Sequence, residues 1–305
     1  MRSILPVLTV VAALLALWYA AVVPMNIKAA LTDAERAGMT VQPEGAAARR
    51  DLSAIQLVLD NPSVISATFQ QARPRLPAPH QVVVELWNTT AGQKVTSKRS
   101  LIYHGWVTLS ATLLGFAIGT IAGGLLAVGI VHNRAMDMSV MPWAIASQTI
   151  PILAIAPMII VVLNSIGVQG LLPKAIISAY LSFFPVVVGM VKGLRSPEAG
   201  QLDLLKTYHA SAGQSLWKLR LPASLPYLFA SLKVAIAAAL VGAIIGELPT
   251  GAVSGLGARL LAGSYYGQTV QIWAALFGAA IAAAGLVGLV GWIERLVLTR
   301  MGMAK

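Results

Sequence analysis

The chain has 305 residues, of which 57% are hydrophobic and 11% charged, with a formal net charge of +11. A soluble domain carries roughly 25% charged residues, so this chain has too few to cover a water-exposed surface of its size. The lack of cysteine excludes disulfides, iron–sulfur clusters and thiolate zinc sites. Basic residues gather at the ends of apolar runs, where they read as topology signals rather than as a nucleic-acid surface.

A transmembrane helix needs about 20 mostly apolar residues. Ile4–Val23 supplies the first, with Arg2 before it and Pro24 after it. Its apolar run exceeds the roughly 7–15 residues of a signal peptide, and Val23-Pro24-Met25 is a poor cleavage site. An uncleaved anchor is therefore expected. Fifteen of the 33 charged residues then fall between Pro24 and Leu101. This polar insert has helix-compatible stretches at Ala29–Ala37, Asp51–Leu59 and Val82–Asn88.

Trp106–Val131 is the second span. Its Gly115, Gly119, Gly123 and Gly124 place small residues along one face, a spacing that lets helix backbones approach closely in a membrane. Val140–Leu163 is the third, and Pro142, Pro151 and Pro157 predict that it is kinked or broken. Leu172–Val191, with Pro185 inside it, is the fourth; Tyr227–Leu248 and Ile272–Leu298 are the fifth and sixth. Six spans put both ends of the chain on one side.

Charge indicates which side. Arg134, then Lys192, Arg195, Lys206, Lys218 and Arg220, then Arg295, Arg300 and Lys305 lie on one set of loops, against Lys174 and Arg259 on the short opposite loops. Long loops are largely exempt from the positive-inside rule, so the basic residues of the insert do not count against this. Both termini are expected in the cytoplasm and residues 25–100 on the outer face.

No phosphate-cradling G-x-x-x-x-G-K-[ST] loop occurs. His80, His104, His132 and His209 have no metal-ligand spacing, and no serine or histidine forms a nucleophile motif. Nothing argues for an enzyme, and no catalytic, cofactor-binding or metal residue is assigned. Glu247 reads as the one ionisable residue at or near membrane depth. It either lines a pathway or caps the end of the fifth span, which Pro249 and Gly251 mark. Gln148, Pro151, Pro157, Pro185 and Glu247 are the candidates for a translocation path.

The segment from Asp203 to Pro222 is too polar to span and too apolar for a free linker. Leu204, Leu205, Tyr208, Leu216 and Leu219 fit one helical face with a break near the middle. Such a helix lies on the bilayer or docks in a partner's groove.

This segment resembles the EAA loop of type I ABC importer permeases. That pattern runs Glu-Ala-Ala, three residues, Gly, nine residues, a branched apolar residue, one residue, then Leu-Pro. Asp203 stands at the Glu position, Leu204 and Leu205 at the alanines, His209 at the glycine and Leu219 at the apolar position, before Leu221-Pro222. Leu76-Pro77-Ala78-Pro79, Thr108 with Gly115-Phe116 and Gly119, Ile150-Pro151 with Ala156-Pro157, Phe184-Pro185, and Leu225-Pro226-Tyr227 also recur in the family's order. The similarity is strongest to the sulfonate/taurine/nitrate branch, which includes permeases for thiamine-precursor pyrimidines.

The resemblance implies an all-α polytopic membrane protein of six transmembrane helices with the MetI-like permease fold. Residues 1–24 would be the first span, 25–100 the insert, 101–298 the permease domain with a coupling loop at 192–226, and 299–305 a cytoplasmic tail. It assigns ATPase coupling to Asp203, Lys206, Thr207, Tyr208, His209, Ala210, Ser211, Ala212, Gly213, Leu216, Trp217, Leu219, Leu221 and Pro222. A helix around Thr207–Leu216 would sit on a cytoplasmic ATPase dimer that binds ATP and Mg. A periplasmic binding protein would deliver a sulfonate, nitrate or pyrimidine-like solute. A second permease, favoured as another copy of this chain, would complete the path in the inner membrane. Glycine permits a tight turn that histidine adopts less readily, so His209 puts the loop's geometry in question. The competing class, an ion-gradient-driven secondary transporter, often shows internal inverted repeats. None is visible here, and the segment from Asp203 to Pro222 discriminates against it.

Overall fold

The computed structural model of the chain describes residues 4–248 and 254–303. Arg2, Pro249, Gly251 and Lys305 lie outside the described residues. Helices account for the regular structure: α1 (Ile4–Arg36), α2 (Ala54–Asp60), α3 (Pro79–Thr90), α4 (Leu101–His132), α5 (Arg134–Ser147), α6 (Ile152–Ser165), α7 (Leu171–Leu194), α8 (Ala199–Thr207), α9 (Ala212–Ser215), α10 (Leu221–Gly246), α11 (Leu256–Tyr265) and α12 (Thr269–Arg300). The chain divides into two compact units. One holds the residues up to Ile102 together with Arg259–Gly278, the other Tyr103–Ala258 together with the chain from Ala279 onwards.

In the first unit α1 does not stop at Pro24. It continues to Arg36 with Pro24 inside it, absorbing the separate helix expected at Ala29–Ala37. Proline removes one backbone donor, but the next turns gain a buried stripe. Ile27, Ala30, Leu31 and Ala34 pack against Val41, Leu57 and Val64. Ile27, Leu31 and Leu57 are fully buried, each contributing about 1.5–3 kcal/mol outside the lipid. Buried Asn26 adds four hydrogen bonds. Its Nδ2 donates to the Thr68 and Leu76 carbonyls, and its Oδ1 accepts from the Arg75 and Leu76 amides. The other two expected stretches form α2, capped by Ser53, and α3. The Trp18 ring stands 4.8 Å from that of Trp273, and its Nε1 donates to the Pro77 carbonyl at 3.0 Å.

In the second unit α4, α7 and α10 pack at near-backbone distance. A Cβ on Gly115 would lie 2.4 Å from the Ser178 Cβ, one on Gly119 2.2 Å from the Ser182 Oγ, and one on Gly123 2.7 Å from the Phe183 carbonyl oxygen. Gly124, expected on the same face, meets open space. Gly242 of α10 approaches the Ser178 Cα, and the Ser178 hydroxyl donates to the Ala239 carbonyl at 2.7 Å. Lipid supplies no hydrophobic force between helices, so this close contact and its hydrogen bonds hold the three together. Ala127, Val187, Met190, Leu194 and Ala235 fill the core between them.

Direction follows from two sets of contacts. The start of α4 and the start of α7 meet the end of α10 around Glu247. At the far end Arg195, after α7, pairs with Asp137 of α5 at 2.8 Å. α4 and α7 are therefore parallel, and α10 runs against them. The chain leaves α4 at one end and enters α7 at the other, so α5 and α6 carry it across between them. They are bent by 98°, and Pro151 caps the second half. Among the described residues five helices are long and apolar enough to span alone, and this broken pair makes six.

Candidate functional site

The break expected near the middle of the segment from Asp203 to Pro222 is a turn between two helices, and it falls inside the helix expected around Thr207–Leu216. α8 ends at Thr207. The Tyr208 amide reaches back to the Leu204 carbonyl, the His209 amide to Lys206 at 2.9 Å and the Ala210 amide to Leu205 at 3.0 Å. This is a Schellman stop, whose residue after the cap takes the left-handed conformation that usually calls for glycine. His209 occupies it, with φ +50°. The residue at the motif's glycine position thus takes the left-handed conformation that glycine favours, and the turn is tight.

α9 begins at once. Ser211 Oγ accepts from the Gln214 amide at 3.2 Å, and the Gln214 side chain accepts from the Ser211 amide at 2.8 Å, a reciprocal capping box. Beyond Ser215 the helix widens into a π turn over Leu216–Arg220 and runs on as α10. Pro222 lies two residues past the turn and has no amide hydrogen to continue the narrower ladder. The backbone is nevertheless helical from Ala212 to Gly246.

The residues expected to form a coupling loop come together in this hairpin. Asp203, Lys206 and Thr207 lie on α8, where Lys206 pairs with Asp203 at 2.9 Å and the Thr207 hydroxyl donates to the Asp203 carbonyl. Tyr208, His209, Ala210 and Ser211 form the turn; Ala212 and Gly213 open α9. Leu216, Trp217 and Leu219 occupy the π turn, and Leu221 and Pro222 open α10. Leu216 packs against the core cluster that includes Leu194. Leu204, Tyr208 and Trp217 do the opposite, standing 57%, 76% and 72% exposed. The hairpin is tied to the bundle where Arg220 donates to the Leu194 carbonyl at 2.9 Å.

The path candidates are dispersed. Gln148 caps α5, Pro151 caps α6, and Pro157 and Pro185 lie inside α6 and α7. The Tyr180 hydroxyl donates to the Ser147 carbonyl beside the break. Glu247 caps the opposite end of α10, with none of its surface exposed. Its Oε2 accepts from the Gly257 amide at 2.8 Å, both its oxygens lie 3.0 Å from the Thr108 hydroxyl, and Lys174 Nζ stands 3.8 Å away. Thr108 accepts in turn from the Leu256 amide, and His104 Nδ1 accepts from the Gly255 amide at 2.9 Å. Gly255 has φ +125°, and a Cβ there would lie 2.1 Å from the Glu247 carboxyl carbon. Glu247 is a buried clasp that fastens the chain after α10 to the starts of α4 and α7.

Two features went unread in the sequence. By sequence Lys174 is only a loop charge, and His104 only a histidine without metal spacing. Glu247 is also not alone at membrane depth, because Lys233 of α10 pairs with Glu294 of α12. The visible signal is a single lysine within the apolar run of α10 and a single acid, next to Arg295, within that of α12.

The family described as binding-protein-dependent transport system inner membrane component matches residues 115–303. The riboflavin transport system permease protein of Chloroflexus aurantiacus is 31% identical over 223 residues, 73% of this chain and 79% of that one. The formylaminopyrimidine transport permease protein of Halalkalibacterium halodurans is 31% identical over 183 residues, 60% of this chain and 68% of that one. The nitrate import permease protein of Synechococcus elongatus is 24% identical over 247 residues, 77% of this chain and 84% of that one.

Proposed function

The chain belongs to the binding-protein-dependent transport system inner membrane components, and on that premise we propose that its α8–α9 hairpin is the lever through which a partner ATPase drives transport. It is a multi-pass permease subunit of an ABC importer, and its family is a transport permease rather than a catalyst.

The observation that carries the proposal is the hairpin's build. A Schellman stop and a capping box set the angle between α8 and α9, and α9 continues through the π turn into α10 without a break in helical backbone. A push on the hairpin is therefore a push on a span. Leu204 of α8 and Tyr208, the residue that caps it, are exposed, and with Trp217 they offer the aromatic and apolar anchors that interface hot spots favour. The partner binds ATP and Mg in a dimer on the cytoplasmic face. Its closure moves the hairpin; Arg220 and the Asp137–Arg195 pair pass the motion to α7 and α5.

Two permease copies pair around the path in the inner membrane, with both termini cytoplasmic. A binding protein delivers the cargo to the outer face, a small organic solute or oxyanion. The relatives named for riboflavin and formylaminopyrimidine stand at 31% identity and the one named for nitrate at 24%, which favours a nitrogen heterocycle.

Replacing Thr207–Ser215 with a Gly/Ser linker tests the lever. The variant is expected to insert in the membrane, to lose co-purification with the ATPase, and to leave ATP hydrolysis unresponsive to cargo-loaded binding protein. Normal uptake by that variant would overturn the assignment.

A further inference from the structure

In a chain so poor in charge, Lys28, Arg49, Arg50 and Arg75 line one cleft of about 360 Å³, with Thr32 and Ala46 completing its wall. They come from three places: Lys28 from α1, the two adjacent arginines from the turn before α2, and Arg75 from the stretch before α3. Like charges this close repel, so something must fix them there.

The scaffold is built. Arg49 is 98% buried, at 2% exposure, and is held by Glu35 at 2.5 Å and by the Pro43 carbonyl at 3.1 Å. Glu35 is itself fastened by the Gly45 amide at 2.7 Å. Lys28 Nζ donates to the Arg50 carbonyl at 2.8 Å, drawing that turn onto α1. The Arg75 amide is pinned by the buried Asn26 side chain. What the chain leaves over is on the cation side. Arg49 Nε is buried with no acceptor, and the guanidinium groups of Arg50 and Arg75 bond nothing among the described residues. Glu35, already bonded to Arg49, is not among the lining residues, and neither is Asp33 nor Asp51.

We propose that this cleft binds an oxyanion of the phosphate or sulfonate type, whose oxygens take the free donors of Lys28, Arg50 and Arg75. Such a group only accepts hydrogen bonds, and guanidinium forks match it in charge and geometry. Cations arriving from three directions suit a group that presents two or more unesterified oxygens. Two sources carry that chemistry. Lys28 lies five residues past the apolar run of α1, about 7 Å along the helix, which is the depth of a headgroup layer. A phospholipid headgroup reaches it there, and so does a free anion from the aqueous side.

The test uses the full-length chain in nanodiscs. In phosphatidylcholine discs inorganic phosphate is titrated by calorimetry, and in discs containing phosphatidylglycerol the retained lipid is counted by native mass spectrometry. Saturable phosphate binding assigns the free anion; selective retention of phosphatidylglycerol assigns the headgroup. In either case Arg50→Gln with Arg75→Gln is expected to weaken binding at least tenfold, while the thermal midpoint in phosphate-free phosphatidylcholine discs stays unchanged. Lys28→Met is the second variant, expected to weaken binding both by removing one donor and by releasing the Arg50 backbone that Lys28 Nζ holds. Binding of neither probe by the parent chain, or binding that survives both variants, overturns the proposal.

Discussion

The amide of His209 donates to the carbonyl of Lys206 at 2.9 Å while His209 itself sits at φ +50°. The turn of the hairpin is thus bought with backbone strain in a residue that prefers to avoid it. A left-handed conformation costs an L-residue about 1–2 kcal/mol, and glycine returns some 0.5–1 kcal/mol of that as extra entropy lost on folding. His209→Gly is expected to stabilise the hairpin by about 0.5–1 kcal/mol and to preserve coupling. His209→Val should destabilise it by about 1–2 kcal/mol, because a β-branched side chain tolerates positive φ least. Protease nicking rates between Tyr208 and Ser211 report both changes; a hairpin more readily cut in the glycine variant would contradict the strain argument.

Gly115→Val tests the glycine face of α4. The new Cβ would lie 2.4 Å from the Ser178 Cβ and 2.5 Å from the Ala175 carbonyl oxygen, and the second of these is backbone that cannot swing away. Overpacking of this kind costs about 1–3 kcal/mol. Gly124→Ala, on a position open to space, should be neutral or slightly stabilising. Thermal unfolding in detergent separates them, and equal midpoints would show that α4 and α7 are not pressed together at Gly115.

The spans were legible because apolar length alone marks them, and the break in the third was legible because Pro151 cannot continue a helix. The 98° bend at that break was not, since a proline states where a helix yields and not how far. α1 ran past Pro24 for a tertiary reason: the bonds of Asn26 and the stripe from Ile27 to Ala34 come from residues far along the chain. His209 is the same lesson at short range, where two amide bonds and the following cap outweigh a residue's own preference. The Lys233–Glu294 pair and the partners of Glu247 were hidden because each joins spans that one sequence cannot place side by side.

Glu35 makes the fold of the insert depend on pH. The Arg49 hydrogen bond, and after it the Gly45 amide, hold its carboxyl below the ordinary value of 4.5. A carboxyl depressed in the folded state contributes stability that is present above its unfolded value and is lost as pH falls through the folded one. The insert should therefore loosen only below about pH 4.5. Glu35→Gln should remove that part of the acid dependence while lowering stability at neutral pH. Tryptophan fluorescence from Trp18 and Trp87 followed against pH reads it, and an unchanged acid limb in the variant would assign the effect elsewhere.

Glu247 supplies the sharpest energetic test, because its three partners come from three elements. Glu247→Ala leaves Lys174 without its carboxylate and the Gly257 amide without an acceptor. Breaking one side of a buried pair costs about 3–5 kcal/mol, mostly through the charge left behind. Lys174→Met alone strands the carboxylate instead. Combining Lys174→Met with Glu247→Gln removes both charges and keeps an acceptor for Gly257, so the double variant should cost less than Lys174→Met and Glu247→Gln measured singly and added together. Amide exchange adds a local reading. In Glu247→Ala, Gly257 should exchange faster first, whereas Gly255, whose amide bonds His104, should follow only as the whole turn lifts. Strict additivity, with no acceleration at Gly257, would mean that the clasp holds nothing and that the ends of α4, α7 and α10 stay together by packing alone.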